Sequence, residues 1–285
     1  MRDIKVKEIR AASALAKSRL PELKYALNPY LGCLHGCVYC YAMDFTNDRE
    51  AAENWGGVIA VKANILEELK KDINRLPRGV VGVSTVTDPY QPIEGRYRLT
   101  RRSIEMLSKN GFRVSIQTRS PLVLRDLDIM ERNRSMFDLG MTIASPSDEI
   151  TRIIEPGAPP PKSRMHALEK ASDSGIETWI FLGPIIKGFN DSEEHISEII
   201  EFAAWNNSRV IYDKFSPYRG PAELMASILP ERNGNYIEKS GDGWWRMVKG
   251  QIIEKCRSSG AMCNPQSEDW KYEQSKLVRP LTDFE

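Results

Sequence analysis

Cys33, Cys37 and Cys40 fall within eight residues, in the run NPYLGCLHGCVYCYA. Three thiolates this close can grip three corners of one inorganic centre and leave a fourth position open. A C-x3-C-x2-C triplet on a single loop is the spacing that mounts a four-iron, four-sulfur cluster with one iron kept for a small-molecule ligand. Two other readings compete with it. Structural cysteines behave as small apolar residues and scatter through a sequence, whereas these are bunched among glycines. Zinc is the nearer rival, because His35 lies inside the triplet and would complete a Cys3His set. Structural zinc sites, however, usually join two separated pairs of ligands, so that the metal staples two segments. Here all four groups would sit on one short loop, and the spacing favours iron–sulfur.

A chain of 285 residues can bury a substantial core. Hydrophobic residues make up 41% and charged residues 28%, as in ordinary globular enzymes. Lys+Arg is 40 against Asp+Glu 39, so no global field draws the protein to nucleic acid or to a membrane. No apolar run approaches the ~20 residues of a membrane-spanning helix. The start, MRDIKVKEIRAASALAKSRL, lacks the apolar stretch of an export signal. A cytoplasmic protein without disulfides is expected, with Cys256 and Cys263 as ordinary core cysteines.

Strands and helices alternate, the pattern of a parallel sheet. A first strand, KYALNPYL, runs into the cysteine loop. It is followed by strands VVGVSTVT, FRVSIQT, FDLGMTIAS, ETWIFLGPII and RVIYDKFSPY. Helices are expected at Ala63–Leu76, Arg101–Lys109 with Thr100 as N-cap, LVLRDLDIMERN, Lys162–Ser174 and SEEHISEIIEFAAWNN. Six strands with five intervening helices are too few for a closed eight-stranded barrel, so the fold class is α/β, a partial (β/α)6 barrel. The expected organisation is an N-terminal extension over 1–23, the barrel over 24–217 and a C-terminal extension over 218–285. That extension carries Trp244, Trp245 and Trp270, read as packing residues, and shows no strand period.

In such folds the working site lies at the carboxyl ends of the strands, where the cysteine loop also falls. The strand ends supply Ser84, Thr85, Thr87 and Asp88, then Gln117, Thr118, Arg119 and Ser120, then Thr142, Ala144 and Ser145, then Gly183 to Gly188. Such groups either bind a ligand or cap the next helix. Tyr39 is placed to shield a cluster. Arg96, Arg98, Arg101 and Arg102 bunch at a helix start, where ion pairs with Glu94 or Glu105 are the preferred reading over an anionic ligand.

The stretches ALNPYLGCLHGCVYCYA, TVTDPYQPIE, QTRSPLVLRDLDIM, EITRIIEPGAPPPKSRMHALEKASDSGIET and GPIIKGFND, in that order, resemble radical SAM proteins of the spore photoproduct lyase-like group. The resemblance spans roughly Ala12 to Tyr218. It implies a partial barrel, a [4Fe-4S] cluster on Cys33, Cys37 and Cys40, and bound S-adenosyl-L-methionine (SAM). The chemistry it implies is reductive cleavage of SAM to a 5′-deoxyadenosyl radical that abstracts hydrogen from a substrate, with electrons from a flavodoxin- or ferredoxin-like donor. It also implies SAM contacts from Tyr39, Thr87, Asp88, Thr118, Arg119, Thr142, Ser145 and Ile186, with Ser84 among the strand-end groups offered to the cofactor. Members of that group place a hydrogen-donating cysteine at the end of the second strand, where this chain has Ser84-Thr85. An O–H bond is far harder to break homolytically than an S–H bond, so the substrate stays open. The competing readings are a nucleic-acid repair lyase with a tyrosine donor, Tyr41 or Tyr90, and a zinc-stabilised nucleic-acid-binding module.

Overall fold

In the computed structural model, residues 4–228 and 242–265 are described, apart from Arg19 and Pro21. Trp270 and much of the expected C-terminal extension lie outside the described residues. The strands are β1 (Lys5–Ile9), β2 (Leu15–Lys17), β3 (Tyr25–Leu27), β4 (Tyr30–Leu31), β5 (Val58–Lys62) and β6 (Val80–Val83). They continue with β7 (Arg113–Thr118), β8 (Phe137–Thr142), β9 (Glu177–Ile185), β10 (Arg209–Lys214) and β11 (Cys263–Pro265). The main sheet has the order β11-β10-β9-β8-β7-β6-β3-β2 and is parallel except at β2–β3. The six expected strands are therefore present side by side, in an open sheet rather than a closed barrel.

The two faces of this sheet differ in chemistry. Side chains alternate along a strand, and one set (Val81, Val114, Ile116, Leu139, Met141, Ile180, Leu182, Val210) lies in the main apolar core. Helices Ile65–Arg75, Leu99–Lys109, Pro161–Asp173 and Glu193–Trp205 add Leu69, Ile73, Ile104, Leu107, Leu168, Ile196 and Ile199 to it. The other set faces the lumen and is mixed, with most of its charged groups at the amino ends of the strands. Ser115 Oγ and Trp179 Nε1 both donate to Asp138 Oδ1, at 2.7 and 2.9 Å. Arg113 bridges Asp138 and Glu177, and Arg209 pairs with Glu177 at 2.7 Å, closing the lumen at the amino ends of the strands. Burial raises the Asp138 pKa and Arg113 offsets this only in part.

Gly140 makes room for the Trp179 ring, since a Cβ there would lie 2.3 Å from it. Gly140→Ala is expected to cost about 3 kcal/mol by overpacking, read from urea unfolding; a loss below about 1 kcal/mol would mean that the ring can move aside.

Several local expectations change. KYALNPYL is not one strand: β3 joins the main sheet, and β4 pairs antiparallel with β5, which pairs parallel with β1 in a separate three-stranded sheet. Neither β5 nor the N-terminal strands were expected, and their short apolar runs carry little periodicity. Thr100 is no N-cap. The cap position is Arg98 in the left-handed region (φ +52°), while the Thr100 hydroxyl donates to the Pro89 carbonyl. The LVLRDLDIMERN stretch is a 3-10 turn (Pro121–Asp126) followed by a short helix, Leu127–Glu131. Arg101 does pair with acids, but with Asp126 and Asp128, while Glu94 takes Arg125.

The described part of the C-terminal extension also departs from expectation. Cys256 and Cys263 form a disulfide, not two separate core thiols. It ties helix Asp242–Ser259 to β11, which adds an unexpected parallel strand beside β10. The seven-residue separation and a 6.2 Å Cα distance are within reach of a bridge, but spacing alone does not announce one. Trp245 packs on Tyr212, and Trp244 Nε1 donates to Asp191, so both act in packing.

Candidate active site

The cysteine loop leaves β4 through Gly32, whose φ of +81° suits glycine and whose Cβ would lie 2.4 Å from the Val58 carbonyl. Two segments from different strand ends clamp the loop. After β6, Thr87 Oγ1 donates to the Gly32 carbonyl (2.5 Å), and Gln91 Oε1 accepts from the Leu34 N–H (2.9 Å). After β8, the Ile154 carbonyl accepts from Val38 N (2.9 Å), and Gly157 N donates to the His35 carbonyl (2.8 Å). A Cβ on Gly157 would meet the Leu34 carbonyl at 2.3 Å, so this contact excludes side chains.

All three loop thiols are free: Cys33 and Cys37 are buried and Cys40 is half-buried. Cys37 packs in an apolar cluster with Val38, Tyr39, Ala144, Ile154, Ile186, Phe215 and Met225, and Cys40 borders it. Burial pushes Cys37 up to about 11 and Cys40 up to about 12.

Two ionic knots flank the loop. Asp88 Oδ1 accepts from Thr118 Oγ1 (2.6 Å) and its Oδ2 from Arg119 N (2.8 Å), with His35 Nδ1 at 3.3 Å. Burial alone would raise the Asp88 carboxyl, but His35 and Thr118 hold it at about 2. Burial would likewise lower His35, yet Asp88 and the neighbouring Cys33 lift it to about 10. The second knot is centred on Glu155. It accepts from the Tyr39 hydroxyl and from Arg119 Nε (3.1 Å), and pairs with Arg164 at 2.5 Å. Arg164 also donates to the Pro159 and Thr142 carbonyls.

Tyr39, Asp88, Thr118 and Arg119 are thus brought together around the cysteine loop, and Thr87 holds the loop itself. Thr142 accepts from Gln117 Nε2 (3.0 Å), and Ser145 accepts from Ser147 N, a local turn contact. Ser84 stands at the end of β6 with φ +66°, buried, its hydroxyl without a hydrogen-bond partner among the described residues. A serine in that strained region marks a position constrained by its surroundings. Ile186 lies in the apolar cluster beside Cys37. Tyr90 is fully buried, whereas Tyr41 is exposed at the rim and donates to the Thr85 carbonyl (2.5 Å).

Three residues with no assigned role prove central: Glu155, Arg164 and Asn190. Asn190 accepts from Ile186 N and donates to the Ala144 and Pro184 carbonyls, tying the ends of β8 and β9. The motifs EPGAPPPKSR and GFND contained them, but nothing in their spacing reveals partners this far away in sequence.

The donor set fits a cluster held by three thiolates. Three free thiols share one loop in an apolar surround. His35 faces Asp88.

A parallel strand-and-helix array whose first rim loop presents free thiols is the frame of a metal-cluster enzyme. The sequence profile of the Radical SAM superfamily matches residues 27–203, and the chain belongs to that superfamily. It is a radical SAM enzyme, whose cofactors are a [4Fe-4S] cluster and SAM, which removes the zinc-stabilised binding module from consideration. An uncharacterized protein of Methanocaldococcus jannaschii is 34% identical over 199 residues, covering 70% of this chain and 74% of that one. The radical SAM Nα-GlyT isomerase of Pseudomonas phage M6 is 26% identical over 210 residues, covering 72% of this chain and 42% of that one. In fold, the chain is similar to spore photoproduct lyase complexed with dinucleoside spore photoproduct, with TM-score 0.70, 16% identity, and 92% and 82% of the two chains covered. No helix among the described residues is long and apolar enough to cross a membrane.

Proposed function

We propose that this enzyme transforms a modified or damaged pyrimidine nucleotide by radical chemistry that begins with hydrogen abstraction. When bound, the cluster and SAM supply one-electron cleavage of the sulfonium to methionine and a 5′-deoxyadenosyl radical, which takes a hydrogen atom from the substrate. Cys33, Cys37 and Cys40 hold the cluster. Thr87 and Asp88 fix the loop that carries those thiols, and Tyr39, Thr118, Arg119, Thr142, Ser145 and Ile186 frame the cofactor space, with Ser84 at its edge. A flavodoxin- or ferredoxin-like protein serves as electron donor.

The observation that carries this reading is the doubly clamped thiol loop above a lumen whose walls are hydroxyl, amide and aromatic (Ser84, Thr142, Gln117, Phe181). Hydroxyls, amides and rings recognise a neutral, flat heterocycle by hydrogen bonding and stacking. One structure similar in fold holds a dinucleoside photoproduct, which supports the substrate class, and the phage relative is named an isomerase, which supports the reaction type. The chain's five cysteines are taken up by the loop triplet and the disulfide, so no further thiol stands by to donate hydrogen. That favours a rearrangement in which the substrate regains its own hydrogen. A repair lyase using Tyr41 is the second reading, supported by the Tyr41 hydroxyl on the carbonyl next to Ser84.

Anaerobically reconstituted, reduced protein should release 5′-deoxyadenosine slowly from SAM alone. Adding dinucleoside spore photoproduct should raise that rate about tenfold. Slow release without any response to the dinucleoside would remove the substrate class, and no release after verified reduction would remove the radical reading.

A further inference from the structure

Buried carboxylates in this protein have basic partners. Asp72, Asp88, Glu94, Asp126, Asp138 and Glu155 pair respectively with Arg75, His35, Arg125, Arg125, Arg113 and Arg119. Asp213, near the carboxyl end of β10, is half-buried and has no such partner among the described residues. One of its oxygens accepts from the next backbone N–H, Lys214 N, at 2.8 Å. The other has no donor, and no Arg, Lys or His pairs with it, among the described residues. Burial raises its pKa to about 6, and Lys214 opposes this only weakly.

The position of Asp213 on β10 explains what it faces. Val210 and Tyr212 point into the helix-covered core, so Ile211 and Asp213 point to the lumen. Opposite Asp213, β9 slips register over Gly183 and Pro184. A Cβ on Gly183 would lie 2.7 Å from the Phe181 ring and 3.1 Å from the Asp213 carbonyl. The half-buried Phe181 ring therefore runs up along Gly183, next to Asp213 at the lumen rim. Two residues further on, Phe215 packs into the apolar cluster that contains Cys37 and Ile186. Asp213, through its main chain, and a partly open aromatic ring thus both border Gly183 at the end of β9.

We propose that Asp213 is a substrate-recognition residue whose free carboxylate oxygen accepts a hydrogen bond from a ring N–H of the pyrimidine, the base lying against Phe181. The assignment rests on the pyrimidine reading above. It supplies the missing partner of the carboxylate, and an imide N–H is the donor that a uracil- or thymine-type ring offers. A site built around such a bond disfavours an analogue that lacks the N–H, because the acceptor is covered by the base and left unsatisfied.

The test compares thymidylyl-thymidine with its N3-methyl analogue, binding to reconstituted, anaerobic wild type and to Asp213→Asn and Asp213→Ala. Wild type should prefer the unmethylated dinucleoside by about tenfold, and Asp213→Ala should lose that preference. Asp213→Asn should retain part of it, since its amide oxygen still accepts. SAM affinity should be unchanged, and the thermal midpoint should not fall, because a half-buried carboxylate without a basic partner is removed.

An equal preference in wild type and Asp213→Ala would overturn the assignment while leaving the pyrimidine reading standing. A fall in SAM affinity with dinucleoside binding intact would move Asp213 to the cofactor and overturn it as well. Wild type that binds neither dinucleoside would overturn the assignment too, whereas the pyrimidine reading itself falls only if 5′-deoxyadenosine release ignores dinucleoside spore photoproduct.

Discussion

Cys37→Ala is expected to fold and yet to carry almost no iron. Reconstituted wild type should hold close to four irons per chain, with the brown colour and broad absorption near ~400 nm of an iron–sulfur protein. The variant should be nearly colourless and should release no 5′-deoxyadenosine. Cys37 is 3% exposed, and losing its thiol should cost about 1 kcal/mol of stability. The loop keeps its shape because its clamps are made by Thr87, Gln91, Ile154 and Gly157, none of which depends on the thiol. The same result should follow at Cys33 and Cys40. Cys256→Ala should leave iron content untouched, since that residue is bridged to Cys263 away from the loop. Full iron loading in Cys37→Ala would refute the ligand assignment, and iron loss in Cys256→Ala would refute the division of the five cysteines.

The second large effect is expected at Arg164, which is wholly buried and whose guanidinium satisfies Glu155 and the carbonyls of Pro159 and Thr142. Arg164→Met keeps the bulk but removes every donor. Two carbonyls lose their partners, and a buried carboxylate keeps only Arg119 and Tyr39, at a cost of about 3–5 kcal/mol. Burial alone would raise the Glu155 pKa, yet Arg164 and Arg119 bring it from an ordinary 4.5 to about 2. A lowered pKa contributes stability that is complete above pH 4.5 and is lost as pH falls towards 2. The gap between wild type and Arg164→Met should therefore be full at neutral pH and narrow across that window. Urea unfolding of the metal-free proteins measures both. A constant gap at all pH values would show that the carbonyls, not the ion pair, carry the effect.

Much of this site was legible before any coordinates. The three cysteines announce themselves through spacing, and the alternation of strands and helices places them on the rim, because both signals are local. Of the strand-end groups expected to meet the cofactor, Thr87, Asp88 and Thr118 hold the loop and its neighbours. Contacts between residues far apart in sequence stayed hidden. Glu155 reaches Tyr39 across 116 positions, and no local pattern encodes that meeting. The Cys256–Cys263 bridge escaped for a different reason, since export signals and cysteine density inform about compartment and not about pairing geometry. The split of KYALNPYL followed from Asn28-Pro29, where proline redirects the chain between two sheets.

The loop's double anchoring also bears on how the enzyme withstands air. Its fastenings are hydroxyl, amide and main-chain hydrogen bonds to neighbouring segments, none made through a thiol, so loss of the inorganic core is expected to leave the socket standing. Repair then becomes a matter of resupplying ferrous iron and sulfide to a standing receptacle, with no refolding of the polypeptide.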